Sequence, residues 1–132
     1  MSDLLQDSQK LNEANAFAVC NGVKIADVQP DYAEVYLDVV PDSLNPWGTV
    51  HGGAYFTLAD VCAGITARTD GRRYVTQQAS VQFLHAGKEG RITARSKVLH
   101  RGGTVCLIEV DVTDEAGHLL FLGTFNFYCV KK

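Results

Sequence analysis

No Cys-x-x-Cys pair occurs in the 132-residue chain, and its four cysteines, Cys20, Cys62, Cys106 and Cys129, lie far apart. The four histidines keep no ligand spacing relative to them, so neither a metal site nor a disulfide framework is expected. Cys62, Cys106 and Cys129 fall in apolar surroundings and read as small, reduced core residues. An excess of positive charge is also missing: 12 Lys and Arg stand against 15 Asp and Glu, a net charge of −3. That balance argues against a general nucleic-acid binder. No apolar run approaches the roughly 20 residues that span a bilayer, so no membrane partner is expected. The opening Met-Ser-Asp-Leu-Leu-Gln-Asp is acidic and lacks the basic region and apolar core of a signal peptide, and the expected location is the cytoplasm. No repeat, linker or low-complexity stretch divides the chain, which reads as one domain over 1–132.

What is present is an ordinary globular composition, 46% apolar and 20% charged, in a chain long enough to bury a core. Residues 3–18 suggest one modest amphipathic helix, with Leu4, Leu11, Ala14 and Ala18 near one face, Ser2 as cap and Asn21-Gly22 as stop, so that residues 1–20 form a leading helical segment. Residues 23–28 and 33–40 favour strands. In the second, Ala33, Val35, Leu37 and Val39 alternate with polar neighbours, and Pro30-Asp31 marks the turn. A loop over 41–50 precedes a four-turn helix over 53–68. There Ala54, Leu58, Val61 and Ile65 form one stripe and Ala59, Ala63 and Ala67 a second, a pattern that predicts burial on most sides. Residues 74–84, 91–99, 104–113 and 119–130 read as strands joined by hairpin-length turns. About six strands and one apolar helix imply an α+β fold, an antiparallel sheet curled around that helix.

The chemistry concentrates in residues 45–60, Asn-Pro-Trp-Gly-Thr-Val-His-Gly-Gly-Ala-Tyr-Phe-Thr-Leu-Ala-Asp. Gly52-Gly53 opens the central helix, where backbone N–H groups lack intrahelical partners and favour negative charge. Asp60 is a lone acid in an apolar helix, which is costly unless something uses it. An oxyanion site and a candidate base or nucleophile are the two parts that split an acyl bond. Yet eight residues at 1.5 Å rise separate Gly52 from Asp60 by roughly 12 Å. A reacting carbonyl needs both within about 3 Å. Two copies with antiparallel central helices bring one Asp60 near the other's Gly52, so the spacing favours a homodimer with two shared sites.

Asn45, Gly48, His51-Gly52-Gly53 and Leu58-Ala59-Asp60, at these spacings, resemble the hotdog-fold thioesterases, most closely the branch of the phenylacetate-pathway (PaaI-like) acyl-CoA thioesterases. Val81-Gln82-Phe83-Leu84 and Asp114-Glu115-Ala116-Gly117 extend the similarity. The resemblance implies a hotdog fold, hydrolysis of acyl-CoA without a metal or redox cofactor, and dimers that pair into dimers of dimers. By position it implies Asp60 as catalytic carboxylate, Gly52 as the N–H that polarises the thioester carbonyl, and Asn45 as a holder of the carbonyl or water. Thr76 matches a hydroxyl near the attacking water. At His85-Ala86 relatives commonly carry a residue followed by proline, so the path into the Gly87 turn departs from the family pattern.

Each feature also has a plainer explanation. Gly52-Gly53 alone suits a simple loop-to-helix junction, and Asp60 alone suits a satisfied helix acid. His51 is expected to fix the loop, while His85, His100 and His118 read as surface or turn residues. Tyr55, Phe56, Trp47 and Phe83 either shape an aryl pocket or fill the core. Lys88, Arg91, Arg95, Lys97 and Arg101 form a basic cluster, either a solvated strand face or a docking strip for coenzyme A phosphates. For the second role Lys88 and Arg101-Gly102 are the better candidates, beside Gly53 at the helix start. Two alternatives to hydrolysis stay open: a non-catalytic acyl-CoA sensor and a hydratase or dehydratase on the same fold.

Overall fold

A computed structural model describes residues 3–131. Helices α1 (Asp3–Glu13) and α2 (Ala16–Cys20) precede strands β1 (Lys24–Gln29) and β2 (Tyr32–Asp38). A 3₁₀ turn (Pro41–Ser43) leads to the central helix α3 (Gly52–Arg68). Four strands complete the chain: β3 (Arg73–Phe83), β4 (Arg91–Arg101), β5 (Val105–Thr113) and β6 (Leu119–Lys131). The six strands form one sheet in the order β1-β2-β4-β5-β6-β3, antiparallel at every pairing. Helix α3 carries the chain from β2 across the sheet to the far edge, which is why β3 does not neighbour β2 or β4. This is the curled sheet around one helix that the strand pattern implies.

Period-two patterning sets the inner face. Ala33, Val35 and Leu37 of β2, and Cys106, Ile108, Val110 and Val112 of β5, are buried against α3, with Phe121, Phe125 and Phe127 of β6. Cys62, Cys106 and Cys129 are buried free thiols, as expected, and burial pushes the Cys62 thiol up.

Two expectations are corrected. The leading helix is broken: Asn15 Oδ1 accepts the Ala18 N–H at 3.2 Å and starts α2 anew, because an Asn in a helix interior competes for backbone donors. Its expected cap, Ser2, lies outside the described residues. Of its expected face only Ala18 is buried; Leu4 is half-buried, and Leu11 is exposed. Helix α3 begins at Gly52 rather than Gly53; its burial on most sides is as expected, with one stripe left partly open. Leu58, Ala59, Cys62, Ala63, Ile65 and Ala67 are buried, whereas Gly53, Thr57, Asp60, Val61 and Arg68 lie on a stripe left partly open.

The two sheet edges differ. Along β1, Gln9 Nε2 donates to Ile25 O at 3.4 Å and Asn12 Nδ2 to Val23 O at 3.3 Å, so α1 blunts that edge. Along β3 no strand among the described residues pairs with the outer side. Eleven residues long, with only Tyr74 buried, β3 is an open template for another strand.

Candidate active site

The loop before α3 is built around Asn45. Its Oδ1 accepts the N–H of Trp47 at 2.9 Å and of Thr49 at 3.1 Å, and its Nδ2 donates to Thr49 Oγ1 at 2.8 Å. Gly48 takes φ +81°, a left-handed turn that suits glycine. Asn45 therefore organises the loop, with one amide hydrogen left for a neighbour. Further on, Val50 N–H donates to Gly87 O and His51 N–H to Ser43 O, both at 2.8 Å, seating the loop against the rest of the fold.

His51 caps α3: its Nδ1 accepts the Gly53 N–H at 2.8 Å. The neutral ring then carries its proton on Nε2, an assignment made from this hydrogen bond. His51 thus fixes the start of α3. The cap also corrects one substrate-binding assignment, since the Gly53 N–H is spent on the imidazole and offers nothing to a ligand. Gly52 differs, because its N–H has no acceptor among the described residues. A Cβ there would sit 3.3 Å from Phe83 Cε1, so glycine lets that ring lie close over the helix start.

Two turns on, Asp60 is half-buried on the open stripe, and Thr76 Oγ1 donates to its Oδ1 at 2.7 Å. The register slips between Thr76 and Gln78 in the β3–β6 pairing, and such a bulge re-aims side chains along a strand. Burial pushes the Asp60 carboxyl above the ordinary carboxylate range, and the Thr76 hydroxyl draws it part of the way back. The second carboxylate oxygen has no partner among the described residues.

Tyr55 has a role that its sequence position does not signal. Its hydroxyl accepts the Gly87 N–H at 2.7 Å and donates to His85 O at 3.1 Å, tethering the segment that departs from the family pattern. The neighbouring Lys88 is exposed at this same end of α3, with no ion-pair partner among the described residues. Phe56 packs edge-on to Phe125 and Phe83 edge-on to Phe121, while Trp47 is 85% exposed.

Arg101 and Gly102 are corrected. Arg101 sits at the other end of α3 and spends its guanidinium inside the chain. It bonds Asp31 at 2.8 Å, Asp70 at 2.7 Å, and the carbonyls of Ala67 at 3.1 Å and Thr66 at 3.0 Å. All its donors are consumed closing the helix C-terminus, so none remains for a phosphate. Gly102 is a turn residue whose N–H goes to Val105 O and whose carbonyl accepts Arg72 Nη2. Of the rest of the basic row, Arg91 pairs with Asp38 and Arg95 with Glu34, a solvated sheet face with balanced charge.

A six-stranded antiparallel sheet wrapped around one central helix is the hotdog architecture. The family model of the thioesterase superfamily matches residues 47–121, and the chain belongs to that superfamily. The acyl-coenzyme A thioesterase PaaI of Escherichia coli is 26% identical over 111 residues, covering 83% of this chain and 79% of that protein. The solved structure of the E. coli PaaI protein from the phenylacetic acid degradation operon superposes with a TM-score of 0.91 at 23% identity, over 96% of this chain and 93% of that one. That likeness establishes the fold. A hypothetical thioesterase of Streptococcus pneumoniae, solved with coenzyme A, superposes at TM-score 0.86 with 30% identity, over 92% of this chain and 98% of that one. Alanine variants of the latter protein have been solved at an aspartate and a threonine sixteen residues apart. Asp60 and Thr76 have the same separation.

Proposed function

We propose that the protein hydrolyses acyl-CoA thioesters at two sites shared across a homodimer, with Asp60 as general base. The observation that carries this reading is the Thr76–Asp60 hydrogen bond of 2.7 Å on the open stripe of α3. It orients a carboxylate whose raised pKa brings it nearer the working range of a base. The thioester carbonyl docks on the Gly52 N–H of one copy, where the helix dipole favours the developing oxyanion. Asp60 of the second copy takes a proton from water through its unpaired oxygen as that water attacks. The tetrahedral intermediate then collapses, the C–S bond breaks, and the thiolate of coenzyme A leaves and is protonated. Thr76 would hold the base, Asn45 and His51 the loop, and Lys88 would meet a phosphate of coenzyme A. The unpaired edge of β3 and the open stripe of α3 are the surfaces a second copy would cover, and dimers would pair further into tetramers.

Thiol release from a panel of acyl-CoAs tests the activity, and sedimentation tests the assembly. A mass of at least twice the 14.4 kDa chain is expected. Binding without thiol release would favour a sensor, and a monomer that turns over would overturn the shared site.

Thr76→Ala should move the acid limb of the kcat/KM profile to higher pH. A base works only when ionised, so activity falls as pH drops through its pKa. Removing the Thr76 donor removes a stabiliser of the ionised form, and the pKa rises. An unmoved or lowered limb would show that the limb does not report Asp60.

A further inference from the structure

Between β3 and β4, residues 84–88 have no regular secondary structure, and no proline there fixes the backbone path. Leu84 and His85 stay tied to β6, their N–H groups donating to Leu120 O at 2.9 and 3.2 Å. Beyond them the segment lies as a strap against the first turn of α3, and Tyr55 holds it there. One hydroxyl makes both bonds: it donates to His85 O at 3.1 Å and accepts the Gly87 N–H at 2.7 Å. The Val50 N–H adds a third at Gly87 O, 2.8 Å.

The anchor is rigid on the Tyr55 side. Its side chain is buried, and the ring is tilted onto Phe121 with centroids 6.3 Å apart. Burial pushes the phenol above its ordinary pKa, so it stays protonated and able to donate. On the strap side, a Cβ at Gly87 would lie 2.9 Å from the Tyr55 hydroxyl and 3.6 Å from Val50 Cγ2. Glycine is what permits this close approach.

Lys88 follows directly and is exposed, with no ion-pair partner among the described residues. A lysine stem is long and flexible, so the reach of its charge is set by where its backbone is held. Behind it that hold is Gly87; ahead, it is Gly90 O, which accepts the Val39 N–H at 2.9 Å. The loop that carries Gly52 depends less on the phenol. It has its own ties in the Asn45–Thr49 bonds, the His51 N–H to Ser43 O and the His51 cap.

Given the hydrolase reading above and its role for Lys88, we infer that the Tyr55 hydroxyl is a positioning group for the coenzyme. By pinning Gly87 it holds Lys88 where a phosphate of coenzyme A binds, and so acts on substrate affinity rather than on bond cleavage.

The test compares hexanoyl-CoA with hexanoyl-N-acetylcysteamine, which carries the same thioester without any phosphate. Tyr55→Phe keeps the ring and removes only the hydroxyl. KM for hexanoyl-CoA is expected to rise about fivefold to tenfold, the scale of one lost hydrogen bond, with kcat within about threefold. On the short thioester kcat/KM should move less than about twofold. Lys88→Gln should raise KM for hexanoyl-CoA to a similar degree. Adding Tyr55→Phe to it should raise KM little further, because both changes act on one contact. If a melting curve shows Tyr55→Phe unfolded, Gly87→Ala carries the same expectations, since its Cβ pushes the strap off the hydroxyl. Equal losses on both thioesters, no rise in KM, or fully additive substitutions would overturn the inference. An unmoved KM in Lys88→Gln would overturn it alone, leaving the hydrolase reading intact. Release of thiol from neither compound, nor from any other acyl-CoA, would overturn both.

Discussion

Replacing Asp60 by Asn is expected to lower kcat/KM for acyl-CoA hydrolysis by about 10³-fold, within the range that a positioned general base contributes. The substitution is isosteric, and Thr76 Oγ1 can still donate to the remaining carbonyl oxygen, so the 2.7 Å contact survives. What is lost is proton affinity, since a neutral amide cannot take a proton from water. A carboxyl raised by its own burial is also relieved of a desolvation cost when it becomes an amide. Thermal stability should therefore hold or rise while turnover collapses, a separation that a merely structural acid would not show. Thiol-release kinetics beside a melting curve reads both. Turnover within a few fold of the native protein would refute the mechanism.

The second large effect belongs to Arg101, and it concerns stability rather than substrate. Its side chain is 20% exposed and bridges Asp31, Asp70, Tyr74 and the last carbonyls of α3. Arg101→Ala leaves two carboxylates and two helix-terminal carbonyls without their shared donor. The loss expected for such a partly buried cluster is about 3 kcal/mol, discounted for solvent access. In urea this moves the midpoint down by roughly 1 to 2 M at fixed protein concentration. KM for acyl-CoA should stay unchanged. A raised KM with an unmoved midpoint would restore the phosphate-docking role that the geometry takes from this residue.

The contrast between Asp60 and Arg101 marks how far the sequence reaches. Asp60, Gly52 and His51 are legible because their relation is local: one helix start, one cap, one carboxylate two turns on, at a spacing a single helix enforces. Strand alternation is legible for a similar reason, since the period of two along β2 and β5 directly reports which side meets the core. Arg101, by contrast, was one member of a basic row, and only folding brings Asp31 and Asp70 to it from 70 and 31 residues away. The donor on Gly53 was equally hidden, because a His two positions earlier caps or does not cap according to one rotamer. Asn15 broke a helix that periodicity alone joined, by offering its side chain to a backbone donor three residues on.

By itself the amino-acid order determined the six strands, the inward faces of β2 and β5 and the central helix, because these rest on periodicity within one helix or strand. Fixed helical rise also sets Gly52 and Asp60 of one chain roughly 12 Å apart along α3. Which cations are spent and which are free was decided only by tertiary structure: Arg101 is consumed by Asp31 and Asp70, whereas Lys88 is exposed with no ion-pair partner among the described residues. Charges find partners through space, and the distance in space between residues far apart in the chain is set by how β3 reaches the far edge of the sheet.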